Sequence, residues 1–228
     1  MVAVADLTAP DGSVSPQGDY FAWYLSVAVV HYGGKKVPVA DHGNFDKVLS
    51  NIGVTLPGSS LADSLKTLAK RARLDVLILG TLERTTDRYS IALEAIRVAD
   101  GKLLEADNVS FPRTAFIDSL SEPFPPKTDY PIYKVGSEGI SWPSCVRCPD
   151  PPYNSFAREQ RISGVSVFQA IVSPDGRIAY AHPVKLLGYG LDEQAYDVIK
   201  TWKFKPATNE KHEPVAVVVP IEVTFRVF

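Results

Sequence analysis

Two periods of hydrophobicity organise this chain, and each dominates a different stretch. Val2 to Leu7 is a short apolar run that reads as a buried strand, and the Pro10-Asp11-Gly12-Ser13 that follows is turn-forming. From Gln17 to Tyr32 the residues Tyr20, Trp23, Tyr24, Val27 and Val30 recur at helical spacing, with Gly33-Gly34 as the stop. A short strand is expected before Asp41. Asn44 then caps a helix whose apolar face is Phe45, Val48, Leu49 and Ile52, ended by Gly53. Ser60 with Asp63 forms a capping box ahead of Leu61, Leu65, Leu68, Ala69 and Ala72, which share one stripe. Three strands follow: Val76 to Leu82, Tyr89 to Val98 and Leu103 to Phe111, the last two joined through Asp100-Gly101. The predicted order is β-α-β-α-α-β-β-β.

The final stretch switches to period two. Val165, Val167, Gln169 and Ile171 alternate up to the turn Pro174-Asp175-Gly176, and Ile178 to Lys185 returns as the second strand of a ribbon. Leu191, Ala195, Val198, Ile199 and Trp202 form a helical stripe. Asp192 and Glu193 in its first turn and Lys200 and Lys203 in its last suit the helix dipole, and Pro206 stops it. Val219, Ile221, Val223, Phe225 and Val227 alternate with Pro220, Glu222, Thr224 and Arg226, a strand with one buried face.

Proline sets the boundaries. Eight of the 18 prolines lie between Pro123 and Pro152, which excludes a helix or an inner strand there. The fold class predicted is therefore α+β in two domains: residues 1–122 as a mixed α/β sandwich, residues 123–149 as a Pro-rich connector, and residues 150–228 as a three-stranded antiparallel sheet with packed helices. Phe124, Tyr130, Tyr133 and Trp142 predict that much of the connector lies against one of the domains.

Composition excludes several roles. With 45% apolar residues the chain affords a core, and a net charge of -2 supplies no basic field for nucleic acid or an anionic membrane. The longest apolar runs, such as Leu25 to Val30, fall short of the roughly 20 residues of a membrane helix. The chain opens directly on strand-like sequence, so the expectation is that a leader or anchor preceded it.

The runs Gly164-Val-Ser-Val-Phe-Gln-Ala-Ile-Val-Ser-Pro-Asp-Gly-Arg-Ile, Gly188-Tyr-Gly-Leu-Asp-Glu-Gln-Ala, Thr201-Trp-Lys-Phe-Lys-Pro-Ala and Val219-Pro-Ile-Glu-Val-Thr-Phe occur in that order. Together they resemble the carboxy-terminal domain of TonB-family energy transducers, over about residues 150–228, with Pro152 to Ala157 similar to the family's leading helix. Residues 1–115 resemble, more faintly, the CsgG-like, FlgO-like and TolB amino-terminal periplasmic domains. The runs that carry this likeness are Val2-Ala-Val-Ala-Asp-Leu, Val37-Pro-Val-Ala-Asp-His, Ala72-Arg-Leu-Asp-Val-Leu-Ile-Leu-Gly-Thr-Leu and Arg97-Val-Ala-Asp-Gly-Lys-Leu-Leu.

The TonB resemblance implies a periplasmic protein that adds an extended segment of a protein partner, such as an outer-membrane TonB-dependent receptor, to a sheet edge. The edge expected to receive it is the closing strand, through Val217, Val219, Pro220, Ile221, Glu222, Val223, Thr224, Phe225 and Arg226. A proline within a strand confines that strand to an edge or bulge, and unpaired main-chain groups bind with little demand on sequence. The alternatives are an edge capped by the connector, or a homodimer or structural subunit of an envelope assembly. A membrane helix and a long Pro-Lys spacer, both expected of a full transducer, do not occur in this sequence, which puts force transmission in doubt.

Cys145 and Cys148 are the only cysteines, and their CxxC spacing admits a structural disulfide, free thiols, or a metal shared with another group. His31, His42, His182 and His212 fall in different elements without metal-ligand spacing and read as surface or capping residues. Phosphate-loop, nucleophile-elbow and dinucleotide motifs do not occur. The expectation is thus a binding protein, not an enzyme, with no catalytic residues, cofactor or metal. The aromatic group Tyr20, Phe21, Trp23 and Tyr24 is read as packing, with a binding face as the alternative.

Overall fold

The computed structural model describes residues 1–33, 37–56, 60–137 and 139–227. Gly34 of the expected helix stop and Phe228 at the chain end lie outside these ranges. The architecture is α+β, the class that the two hydrophobic periods predict, and the chain divides into two compact units, Met1–Thr114 and Ala115–Phe228.

In the first unit the elements are β1 (Val2–Val4), α1 (Pro16–Gly33), α2 (His42–Ile52), α3 (Leu61–Arg71), β2 (Val76–Arg84), β3 (Arg88–Arg97) and β4 (Leu103–Pro112). They build one four-stranded sheet in the order β1-β2-β3-β4, with β1 parallel to β2 and the remaining pairs antiparallel. The strand expected before Asp41 is reduced to a single parallel bridge from Val39 to Val2. The reason is room, because Asp41 already begins the helical turn.

Asp41, not Asn44, caps α2: its carboxylate accepts the Asn44 amide at 3.0 Å, and Asn44 stands at the third helical position. Gly53 ends α2 in the left-handed region (φ 68°), and Ser60 caps α3 by accepting the Asp63 amide. One face of the sheet carries Leu77 and Ile96 against Phe45 and Leu49 of α2 and Leu65 and Leu68 of α3. Toward the opposite face, Phe21 of α1 meets Tyr89 and Phe111, with centroids 6.3 and 5.2 Å away. Of the aromatic group on α1, Tyr20 is buried, Phe21 and Trp23 are half-buried and Tyr24 is 39% exposed. Gly18 allows α1 its close approach, since a Cβ there would sit 2.0 Å from the Leu7 carbonyl oxygen.

The second unit contains α4 (Ala115–Ser119), β5 (Ile132–Lys134), β6 (Ser144–Arg147), α5 (Ser155–Glu159), β7 (Gly164–Val172), β8 (Ile178–Lys185), α6 (Leu191–Ile199), β9 (Lys203–Lys205), β10 (Ala207–Thr208) and β11 (Pro214–Phe225). Three long antiparallel strands, β11-β7-β8, form the sheet that the period-two pattern predicts. Two short strands, β10 and β5, add to β11, and β6 pairs with β9 in a separate ribbon. The connector thus contains two short strands, each with a single strand partner and neither an inner strand, in the proline-free windows Ile132–Lys134 and Ser144–Arg147. α6 ends at Ile199, so Lys203, expected in its last turn, instead opens β9.

The core under the sheet is Phe168, Ala170, Ala181, Leu191, Ala195 and Ile199 with the odd-numbered residues of β11. At its margin lies Asp192, fully buried, whose carboxylate accepts the Ser166 hydroxyl and the amides of Leu187 and Gly188. Burial raises its pKa, and these three donors act against that rise. The Gly188-Tyr189-Gly190 turn is therefore fastened to the first turn of α6 by one side chain.

Asp192→Ala strands two amides and a hydroxyl in an apolar setting, so it should destabilise the second unit by about 3 kcal/mol, read as a shift in the denaturant midpoint. A change under about 1 kcal/mol would show that water replaces the carboxylate.

Candidate functional site

From Val217 onward β11 alternates: Val217, Val219, Ile221, Val223 and Phe225 are buried, while Pro220, Glu222 and Thr224 are exposed. One of its edges is paired with β7 from Val217 to Phe225. On the other edge, β5 pairs with Ala216, Val217 and Val218, while β10 pairs with Val215 and Pro214, ahead of the β7 ladder. From Val219 to Phe225 that edge has no strand partner among the described residues.

The main-chain groups of a strand point to alternate sides, so odd and even residues serve different edges. Val227 donates its amide to the Ser163 hydroxyl, just beyond the start of β7, which places the odd set toward β7. Pro220 belongs to the even set and has no amide hydrogen to miss. The open edge therefore presents the Pro220 carbonyl and the amide and carbonyl groups of Glu222 and Thr224. Arg226 lies beyond the paired stretch.

Around this edge, Tyr153 packs edge-on against Phe225 at 5.6 Å, and its hydroxyl is buried without a hydrogen-bond partner. Cys145 and Cys148 are joined by a disulfide with Cα atoms 6.1 Å apart, Cys145 lying in β6 opposite Phe204 of β9. The Trp202 indole donates to the Pro149 carbonyl at 3.0 Å, just after the disulfide loop.

A second constellation lies in the first unit and corrects the reading of His42 as a surface or capping residue. Its imidazole is buried, with Nδ1 donating to the Val4 carbonyl at 3.2 Å and Nε2 donating to Asp19 Oδ1 at 3.1 Å. Asp6 Oδ1 is equally close to Nε2 but is buried with no hydrogen bond of its own, so its charge meets the ring electrostatically. Burial alone would lower the pKa of His42; the hydrogen bond to Asp19, the close Asp6 carboxylate and the charge of Asp46 outweigh it and push it up to about 10. Burial, then the nearby Asp6 charge, raises the Asp46 carboxyl. Asp6, Asp19, His42 and Asp46 bring ligand atoms within 4.8 Å of one another and are the residues that could hold a metal, but only if Nε2 gave up its proton. The four positions lie on three segments, and the one local signal was the i, i+4 spacing of His42 and Asp46 on α2.

Among the described residues, no helix is long and apolar enough to cross a membrane. Residues 149–227 match the family described as Gram-negative bacterial TonB protein C-terminal, about a third of the chain, and form a TonB-like carboxy-terminal domain. Among solved structures, the chain is similar to the TonB carboxy-terminal domain of Pseudomonas aeruginosa, at 19% identity over 41% of this chain and 92% of that one, with a TM-score of 0.34. It is also similar to the LpoB carboxy-terminal domain of Salmonella enterica, at 10% identity over 49% and 82%, with a TM-score of 0.39. A third similarity, to a lipoprotein of Neisseria meningitidis, has 16% identity over 50% and 81%, with a TM-score of 0.37. No curated protein matches the sequence.

The His42 pKa is raised on folding, so its stabilisation is complete below about pH 6.5 and declines as pH climbs through about 10. Thermal unfolding of the first unit should fall across that window, and His42→Gln should lower its stability by roughly 2–3 kcal/mol at neutral pH and flatten the pH dependence. That figure is below the value for a wholly buried ion pair because Asp19 is 62% exposed. An unchanged pH profile in the variant would show that the ring is neutral in the fold. Tyr153→Phe removes an orphaned hydroxyl and should leave stability unchanged or raise it by up to about 1 kcal/mol; a loss of more than that would reveal a water partner.

Proposed function

We propose that the second unit binds an extended segment of a protein partner in the periplasm, by adding it as a strand to the open stretch of β11, Val219–Phe225. The observation that carries this reading is the division of β11: its apolar face and one edge are satisfied within the domain, while Glu222 and Thr224 direct main-chain groups to an unfilled edge. Such an edge gives affinity through main-chain bonds and asks little of the incoming sequence. Pro220 breaks the row of donors, which limits unguarded pairing with other chains. The TonB-like match over residues 149–227 supports an envelope setting and a protein partner, such as an outer-membrane receptor.

Two proline substitutions test the edge separately from the fold. Thr224→Pro removes an amide aimed at the open side, so the protein should stay folded while affinity for extended receptor peptides drops about fivefold to tenfold, the worth of one main-chain bond. Val223→Pro removes an amide aimed at β7 and should instead lower stability. Equal binding by wild type and Thr224→Pro, measured calorimetrically, would sink strand addition at this edge. Concentration-dependent dimerisation lost in Thr224→Pro would reassign the edge to a second copy of the chain.

A further inference from the structure

The segment that precedes the TonB-like domain reaches both sides of its sheet. Phe124 stacks on Tyr180 and His182 of β8, at 5.9 and 5.6 Å. Those two residues pair with Ile171 and Gln169, whereas Ala181 pairs with Ala170 in the core, so Phe124 lies on the sheet face opposite α6. Tyr180 donates to Glu122 Oε2 at 2.7 Å, and His182 Nδ1 donates to the Ser119 carbonyl at 3.1 Å, which tie the start of the segment to β8. Eight residues on from Phe124, Ile132–Lys134 pair with β11 on the far side of the same sheet. The chain between is a strap across that face.

After β5 the strap is fastened again. The Ser137 amide and hydroxyl both donate to the Lys134 carbonyl, closing a turn. The Ser141 amide donates to the Thr208 carbonyl, and the Thr208 amide returns a bond to the Ser141 hydroxyl, so the strap is pinned to β10. The β6–β9 ladder and the disulfide follow at once. β5 is thus held from both ends, beside the only part of the outer edge it covers.

We infer that β5 is a fixed end stop on the docking edge: it sets the register of an incoming strand and restricts the partner to a short extended segment, about five residues at roughly 3.3 Å each. The inference rests on the strand-addition reading of β11 and narrows it. A strand laid along Val219–Phe225 meets Lys134 and its turn at one end, and the seam falls at Pro220, where β11 has no donor to offer. Pairing is left to Glu222 and Thr224. Glu222 is the one charged side chain on the open stretch, stands beside Val167, and has no ion pair among the described residues. A cationic residue opposite it is therefore the favoured chemistry, since opposite charges directly across a ladder stabilise pairing.

The test uses the full chain and two synthetic probes, acetyl-Thr-Val-Lys-Val-Thr-amide and a nine-residue version extended by Thr-Val at each end. Wild type should bind both within about twofold, and Glu replacing Lys should weaken the shorter probe severalfold. In an Ile132→Gly, Tyr133→Gly variant, which loosens β5 but leaves β11-β7-β8 intact, the longer probe should gain about tenfold. A longer probe that already binds wild type tenfold tighter, or that releases the β5 amides to exchange, overturns the end stop. If neither probe binds, strand addition fails, and hydrogen exchange of the free chain decides the remaining point. Slow exchange along the β5–β11 ladder then supports a fixed stop, and fast exchange there overturns it.

Discussion

Every main-chain amide and carbonyl taken from water needs a partner, and in the second unit β11 has strands on both sides of its middle but, among the described residues, on only one side of its last half. The rest of the domain follows from how this strand is shared. Its odd residues supply the apolar floor on which α6 rests, and its β7 side carries the longest ladder of the sheet. What remains is a short row of groups that solvent satisfies and another strand could satisfy as well. Function is proposed there because the domain leaves that place chemically incomplete without leaving it unstable.

The first unit solves a different problem with a charge. Three carboxylates converge where the end of β1, the start of α1 and the first turn of α2 meet, and like charges at that spacing oppose the close approach of those elements. A protonated imidazole placed among them turns repulsion into attachment, and its second nitrogen secures the Val4 carbonyl. Asp6 stands at the boundary: it faces His42 on one side and lines a cleft of about 330 Å³ with Thr8, Gly80 and Glu94 on the other.

What could be read beforehand was whatever repeats or punctuates locally. The alternation of β11, the Asp175-Gly176 turn, the Ser60 cap and the Gly53 stop each carry their cause within a few residues, so periodicity and turn chemistry found them. Asp41 and Asn44 are both capable caps three residues apart, and only the actual start of the turn decides between them. β5 and β10 could not be read, because a strand of two or three residues has no period: β5 exists only by virtue of a partner about eighty residues away, and β10 only by the few residues that pair with it across a turn. The surroundings of His42 were hidden for the same reason: positions 6, 19 and 42 share no local spacing. The closing strand was legible as amphipathic, but the strap that subdivides its edge was not.

The parallel pairing of β1 with β2 joins residues 2–4 to residues 76–78, and β5 meets β11 across a similar distance in the sequence. Such contacts make folding slow to complete, since a long loop must close before they return any stabilisation. During synthesis the strap is made well before the strand it will border. Once β11 is paired with β7, β5 covers the first part of its outer side, so the folded domain shows its neighbours a shortened edge and not an uninterrupted sticky strand.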